Sequence, residues 1–254
     1  ENYYLLTHQI NSINFHFLWR VPESNISFGV DIQNDINIDD NFKNLSSLSL
    51  EKLQTSTNEE IIVINLLDND LEEPFTEFIQ TLINNVKEVE GADRAQEVLL
   101  DKIHKFQKLF EKGSFGKLKK NQIRGLFAEL CFLDHLVDNT SPKALFNWKG
   151  PHNGLHDFVT PKYSVEVKSY LTKPKVTVFN ERQLDSYITN KLFLASFHIQ
   201  EDDNGVSINK KVEQLENKFN KKLKLQFLST LNDCGYFKSQ SIFYDSYLLL
   251  ENSK

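Results

Sequence analysis

In the first third of the chain, apolar and polar residues alternate in the way typical of β-strands. The segments "INFHFLWRV" (13–21) and "NISFGVDIQ" (25–33) each follow this period of two, and "PES" separates them. Residues 34–58 are rich in Asn, Asp and Ser and predict a loop with one short strand. The run "EIIVINLLD" (60–68) is continuously apolar, which predicts a strand covered on both faces.

The spacing then changes to helical intervals. Residues 71–89 predict one helix, and Leu99, Ile103, Phe106 and Phe110 form the apolar stripe of a second helix that ends near Gly113. A polar joint, "EGADRAQ", lies between the two helices. We therefore expect a β-rich N-terminal accessory region at 1–92 and a helix-containing core domain at 93–254.

Residues 122–137 predict a helix with an acid on its apolar face. Glu129 follows Leu126 by three positions and precedes Leu133 by four, so the three side chains share that face. A carboxylate there is costly unless a cation or hydrogen-bond donors meet it. Two interpretations stay open: Glu129 lies at the edge of the stripe or pairs with an arginine, or it points into a functional site.

A short β-hairpin carries three more charged side chains. "LHDFV" predicts its first strand, "TPKYS" its turn and "VEVKSYL" its second strand, in which Val165 and Val167 face one side. Glu166 and Lys168 then face the other side, and Asp157 lies within reach of them across the hairpin. Carboxylates on rigid strands can hold a divalent cation, and a neighbouring lysine can stabilise charge on phosphate. The alternative is a solvent-facing strand with an incidental ion pair.

The segments after the hairpin extend this arrangement. "KVTVFN" predicts a further strand, and "NERQLD" predicts the start of a helix on which Gln183 offers a polar contact. "KLFLASFHIQ" and "SIFYDSYLLL" are also strand-like, with amphipathic helical segments between them.

The order of these segments resembles the bacterial PD-(D/E)xK motif family of restriction-endonuclease-like nucleases. The matching runs are "IRGLFAEL", "NWKGP" leading to "DF", "SVEVKSY" and "QL". The resemblance implies an α/β fold, with a restriction-endonuclease-like core of a mixed central sheet flanked by helices. His156 stands where the motif name has proline, which is the one departure.

The resemblance also implies roles for individual residues. Asp157 and Glu166 would bind Mg²⁺ or Mn²⁺, Lys168 would be the catalytic lysine, Glu129 would be an auxiliary acid that completes the metal site, and Gln183 would be a further catalytic-site residue. The substrate implied is double-stranded DNA, cleaved in restriction or phage defence. A homodimer stays open, since cutting two DNA strands needs two sites. A defence-system partner stays open as well.

Composition narrows the class of protein. The formal net charge is −6, which argues against a protein held on nucleic acid by bulk charge. A local set of basic residues would then contact the DNA backbone: Lys119, Lys120, Arg124, Lys173 and Arg182. The two cysteines have neither metal-site nor disulfide-framework spacing. No long apolar run or secretory signal is recognisable, so we expect a cytoplasmic protein without membrane contact.

The sequence thus predicts a Mg²⁺-dependent endodeoxyribonuclease. A non-cleaving nucleic-acid-binding or assembly module that retains the fold is the main alternative. A β-rich binding protein is a third possibility, and it predicts that Glu129 and Glu166 lie far apart.

Overall fold

The computed structural model describes residues 2–21, 26–31, 47–54, 60–111, 115, 117–152, 154–171 and 191–250. The chain divides into two compact units, Glu1–Gly116 and Lys117–Lys254. Within the described residues, no helix combines the length and the apolar character needed to cross a membrane.

The first unit contains an antiparallel sheet of five strands in the order β1–β2–β3–β5–β4. Its strands are β1 (Asn2–Ile10), β2 (Ile13–Val21), β3 (Ile26–Asp31), β4 (Leu48–Gln54) and β5 (Glu60–Leu66). Asn11 and Ser12 turn the chain between β1 and β2 with positive φ angles of 50° and 64°, the conformation that tight hairpins require. Every residue of β5 after Glu60 is buried, as its continuous apolar run predicts.

Two helices complete this unit, α1 (Glu72–Lys87) and α2 (Ala92–Glu111). The rings of Phe78 and Phe106 stack between them with centroids 3.6 Å apart. This packing places α2 in the first unit, which ends at Gly116, beyond the predicted domain boundary near residue 92. The amphipathic stripe of α2 indicates a buried face, but it does not tell which unit supplies the partner.

The second unit is built on a mixed sheet of four strands in the order β6–β7–β8–β9. Its strands are β6 (Phe158–Val159), β7 (Ser164–Tyr170), β8 (Leu192–Ser207) and β9 (Ser246–Leu249). β7 runs parallel to β8, and the other two pairs are antiparallel. The helices are α3 (Lys120–Asn139), α4 (Ile208–Glu216) and α5 (Lys221–Asp233).

Two helices of the second unit have side-chain caps at their N-termini, and α3 packs into the core of that unit. Ser207 caps α4 by accepting a hydrogen bond from the Lys210 N–H at 3.2 Å, and Asn220 caps α5 by accepting one from the Leu223 N–H at 3.0 Å. The buried face of α3 belongs to the same core cluster as Val165 and Val167 of β7. This mixed α/β core, with a β-rich N-terminal part, confirms the predicted restriction-endonuclease-like fold class.

Two strand predictions differ from the structure. The segment "LHDFV" forms only the two-residue strand β6, because the Asp157 carbonyl accepts hydrogen bonds from the N–H groups of Lys149 and Gly150 instead of from a strand. In "SIFYDSYLLL", β9 is preceded by the 3-10 helix Lys238–Phe243. The predicted strand "KVTVFN" and helix start "NERQLD" lie outside the described residues.

Candidate active site

Glu129 projects from α3 next to a tryptophan. The indole N–H of Trp148 donates a hydrogen bond to Oε2 of Glu129 at 2.7 Å. Trp148 is itself buried, and its ring lies beside those of Phe158 and Phe227. Glu129 is therefore a half-buried acid met by a hydrogen-bond donor, and its place in a functional site stays a prediction.

Asp157 is held between two neighbouring segments. Its carbonyl accepts the N–H groups of Lys149 at 2.7 Å and Gly150 at 3.0 Å. Its carboxylate oxygen Oδ2 accepts the Val167 N–H of β7 at 2.7 Å. The carboxylate thus takes the place of a ladder partner for β7, which fixes it beside the middle of that strand.

Glu166 and Lys168 share one face of β7, as the period of two predicts. Glu166 is only 6% exposed, so this face is not the solvent-facing strand of the alternative interpretation. Lys168 Nζ donates to Glu166 Oε1 at 2.6 Å. The other carboxylate oxygen, Oε2, is buried and has no hydrogen-bond partner among the residues that the structure describes. A buried carboxylate with an unpartnered oxygen is costly unless a cation or water meets it.

Gly150 shows how closely two of the carboxylates approach each other. A Cβ atom added at Gly150 would lie 2.6 Å from Glu129 Oε2 and 3.0 Å from Asp157 Oδ1. Both oxygens therefore border the same small space, which only a glycine leaves open. The electrostatic influence of Glu166 on both of these acids completes the cluster.

The cluster shifts the titration of two acids. Burial, with the nearby Asp157 charge as second cause, raises the pKa of Glu129 to about 8. Burial, followed by the charge of Glu166, raises the pKa of Asp157 to about 6, although the Val167 N–H and Lys168 oppose this shift. Carboxylates that repel one another in a partly buried space are an arrangement that a cation stabilises.

The donor set fits a hard divalent cation. Carboxylate oxygens are the ligands that Mg²⁺ prefers, and it commonly uses one or two of them together with water and phosphate. The carboxylates of Asp157 and Glu166 offer this chemistry, with Oε2 of Glu166 as the oxygen that no described residue meets with a hydrogen bond. Within the described ranges, no group of three or more His, Cys, Asp and Glu side chains is arranged as a metal site. One Glu129 oxygen already accepts the Trp148 indole N–H.

Of the other predicted site residues, some lie outside the described residues and some lie near the start of α3. Gln183, Lys173 and Arg182 lie outside the described residues. Lys119 and Lys120 are exposed and Arg124 is half-buried, all near the start of α3. Lys120 pairs with Asp245 at 2.9 Å and with Glu201 at 3.3 Å, so acids already neutralise part of its charge.

Trp148, Gly150 and the Val167 N–H are not among the predicted site residues. The first two lie in the "WKGP" segment, which belongs to the PD-(D/E)xK resemblance but carries no predicted role. A main-chain N–H leaves no signal in a sequence, because every residue except proline carries one.

The fold defines a protein of the restriction-endonuclease-like class. A family model described as "Putative PD-(D/E)XK family member, (DUF4420)" matches residues 7–252. Since this match covers nearly the whole chain, the protein belongs to that family, and the predicted resemblance to PD-(D/E)xK proteins is confirmed. No curated protein and no solved structure matches the chain.

Proposed function

We propose that the protein hydrolyses phosphodiester bonds of double-stranded DNA with Mg²⁺ or Mn²⁺, in a restriction or phage-defence role. One observation carries this proposal: Asp157, Glu166 and Lys168 meet at β7, and Glu166 keeps a buried oxygen that no described residue meets with a hydrogen bond. The defence role rests only on the likeness of such families to components of restriction systems.

Each side chain would have a distinct task. Asp157 and Glu166 would hold the cation, and Glu129 would complete or tune the site from α3. The bound cation supplies positive charge for the phosphoryl oxygens. The Val167 N–H keeps Asp157 in one orientation, which lowers the reorganisation needed when substrate arrives.

Lys168 would act on the reacting phosphate. Its ammonium group has three N–H donors, and Glu166 accepts one of them. The others can orient the attacking water and stabilise the charge that develops on the pentacovalent phosphate. Lys168 is held at the site by its ion pair with the nearly buried Glu166.

Plasmid cleavage by purified protein tests this function. We expect nicking with Mg²⁺ or Mn²⁺ and none with EDTA, and we expect Asp157→Ala and Lys168→Ala to lower the rate by about 100-fold or more. Lys143→Ala, which removes an exposed lysine of the same unit, is the matched control and should cleave normally. Metal-independent cleavage, or full activity of both site variants, would refute the mechanism.

A non-cleaving nucleic-acid-binding or assembly module is the second candidate. The observation in its favour is that the described residues contain no three-membered metal-ligand group. It predicts DNA retention in a gel shift and no cleavage with either metal. Lys168→Ala should then weaken DNA binding no more than the loss of any other lysine of the same surface.

A further inference from the structure

A cleft of about 280 Å³ opens beside the carboxylate cluster. Leu118, Leu126 and Pro151 supply apolar walls, and Gln122 and Glu129 supply polar groups. Glu129, one of the clustered carboxylates, and Gly150, which adjoins Glu129 and Asp157, both line the cleft. A ligand in the cleft would therefore lie next to a cation or phosphate bound at the carboxylates.

Gly125 borders this cleft. It lies four residues before Glu129 on the same face of α3, and among the described residues a Cβ added there would have no atom within 4 Å. Glycine inside a helix costs about 0.5–1 kcal/mol relative to alanine. Packing of the described residues therefore does not explain why a glycine, which destabilises a helix, stands at position 125.

An exposed apolar pair and a lysine lie in segments that contact Leu118 or adjoin it in the chain. The Leu118 N–H donates to the Tyr244 hydroxyl at 3.1 Å, which connects the cleft wall to the segment that contains Ile242 and Phe243. Ile242 is 81% exposed and Phe243 is 54% exposed. Lys117 Nζ lies 4.8 Å from the centroid of the Phe243 ring. Apolar side chains next to cations serve in other proteins as stacking platforms or wedges for nucleic acids.

We propose that the cleft receives one nucleobase, unstacked from the strand whose phosphate lies at the carboxylates, and that Ile242 and Phe243 fill the gap left in the stack. This inference deepens the proposed function, since it takes nucleic acid as the substrate. The apolar walls match the faces of a planar ring. The Gln122 side-chain oxygen accepts the Lys119 N–H at 2.9 Å, and the NH₂ group of the same amide offers donors to the edge of the base. The volume lies just below the usual range of ligand pockets, which suits one base and not a base pair.

Binding of matched and mismatched duplexes tests the proposal without cleavage. A mismatched base is easier to unstack, so wild-type protein in EDTA should bind a duplex with one central mismatch about tenfold more tightly than the matched duplex, measured by fluorescence anisotropy. Gly125→Leu should bring this ratio near one because the side chain fills the cleft. Gly125→Ala should retain the ratio, since a methyl group leaves most of the space.

A second pair of variants keeps the test decisive if Gly125→Leu does not fold. The exposed double variant Ile242→Ala/Phe243→Ala should lower the ratio towards one. Phe146→Ala removes an equally exposed aromatic ring from the 3-10 helix Pro142–Asn147 and should leave the ratio unchanged. A wild-type ratio near one, or a tenfold ratio that survives the double variant, would overturn the proposal.

Plasmid nicking with Mg²⁺ on the same preparations separates this inference from the proposed function. Nicking by a wild-type protein without mismatch preference would overturn the nucleobase cleft and leave the hydrolase standing. A mismatch preference that follows the cleft variants, without nicking, would support the cleft and refute hydrolysis. A protein that binds neither duplex and does not nick the plasmid would overturn both.

Discussion

The Val167 N–H donates a 2.7 Å hydrogen bond to Oδ2 of Asp157, ten residues earlier in the chain. This contact replaces a strand-to-strand bond and attaches an acid to the middle of β7. Val167 lies between Glu166 and Lys168, so one main-chain group positions Asp157 beside both charged side chains. The candidate site therefore depends on backbone geometry as much as on side-chain identity.

Gly150→Ala should disrupt the site while the fold persists. The new Cβ would approach Glu129 Oε2 and Asp157 Oδ1 to 2.6 and 3.0 Å, so the carboxylates must shift. We expect Mg²⁺ affinity, measured by the metal-induced rise in melting temperature, to fall about tenfold or more, since displaced ligands bind metal poorly.

Gly125→Ala is the matched control for that substitution. Its Cβ would have no atom of a described residue within 4 Å, so the Mg²⁺-induced rise should be retained, and the free energy of unfolding should increase by up to about 1 kcal/mol. Equal loss of metal affinity in both variants would contradict the close-contact explanation.

The metal-free protein should lose stability as the pH rises. The folded-state pKa values of Asp157 and Glu129 are raised to about 6 and about 8, so the folded state holds these protons more tightly than the unfolded state. Their stabilising contribution is complete below about pH 4 and is lost as the pH passes through about 6 and then about 8.

Urea unfolding in EDTA across this pH range checks the prediction. Glu129→Gln cannot titrate and still offers an oxygen to Trp148, so it should remove the loss around pH 8 and keep the loss around pH 6. An unfolding midpoint of the wild type that stays constant or rises from about pH 6 to pH 9 would contradict the raised pKa values.

Trp148→Phe should destabilise the second unit through one hydrogen bond. The variant retains an aromatic ring next to Phe158 and Phe227 but leaves Oε2 of Glu129 without its donor. An unpaired buried acceptor costs about 1–3 kcal/mol, and the pKa of Glu129 should rise further because the indole N–H lowers it.

A double-mutant cycle with Glu129→Ala isolates this interaction. The two substitutions together should cost less free energy of unfolding than their sum, because either one removes the same hydrogen bond. Strict additivity would show that Trp148 acts only through packing.

Lys119→Ala and Lys120→Ala should affect DNA binding unequally. Both lysines are exposed at the start of α3, but Lys120 already pairs with Asp245 and Glu201. If Lys119 contacts a phosphate, its loss should reduce the slope of log K against log salt by about 0.9, and the loss of Lys120 should reduce it less. Affinity measured across a salt series decides this, and an equal or larger effect of Lys120→Ala would contradict it.

Much of the architecture could be predicted from local patterns. The continuous apolar run of β5, the helical spacing of α1 and α3, and the alternation of β7 each specify an element through burial of one face or of both. The length of β6 could not be predicted, because local propensity does not reveal that the Asp157 carbonyl finds partners at Lys149 and Gly150.

By itself, the sequence determined the strands β2, β3, β5 and β7, the helices α1 and α3, and which charged residues stand at apolar positions, because periodicity and the cost of a buried charge are local properties. Only the tertiary structure decided that Glu129 and Asp157 border one space at Gly150, that Glu166 is nearly buried, and that α2 packs with the first unit. These relations join residues distant in the chain, and they follow from the packing of α3 against β7, of the short 3-10 helices against α3 and α5, and of α2 against α1.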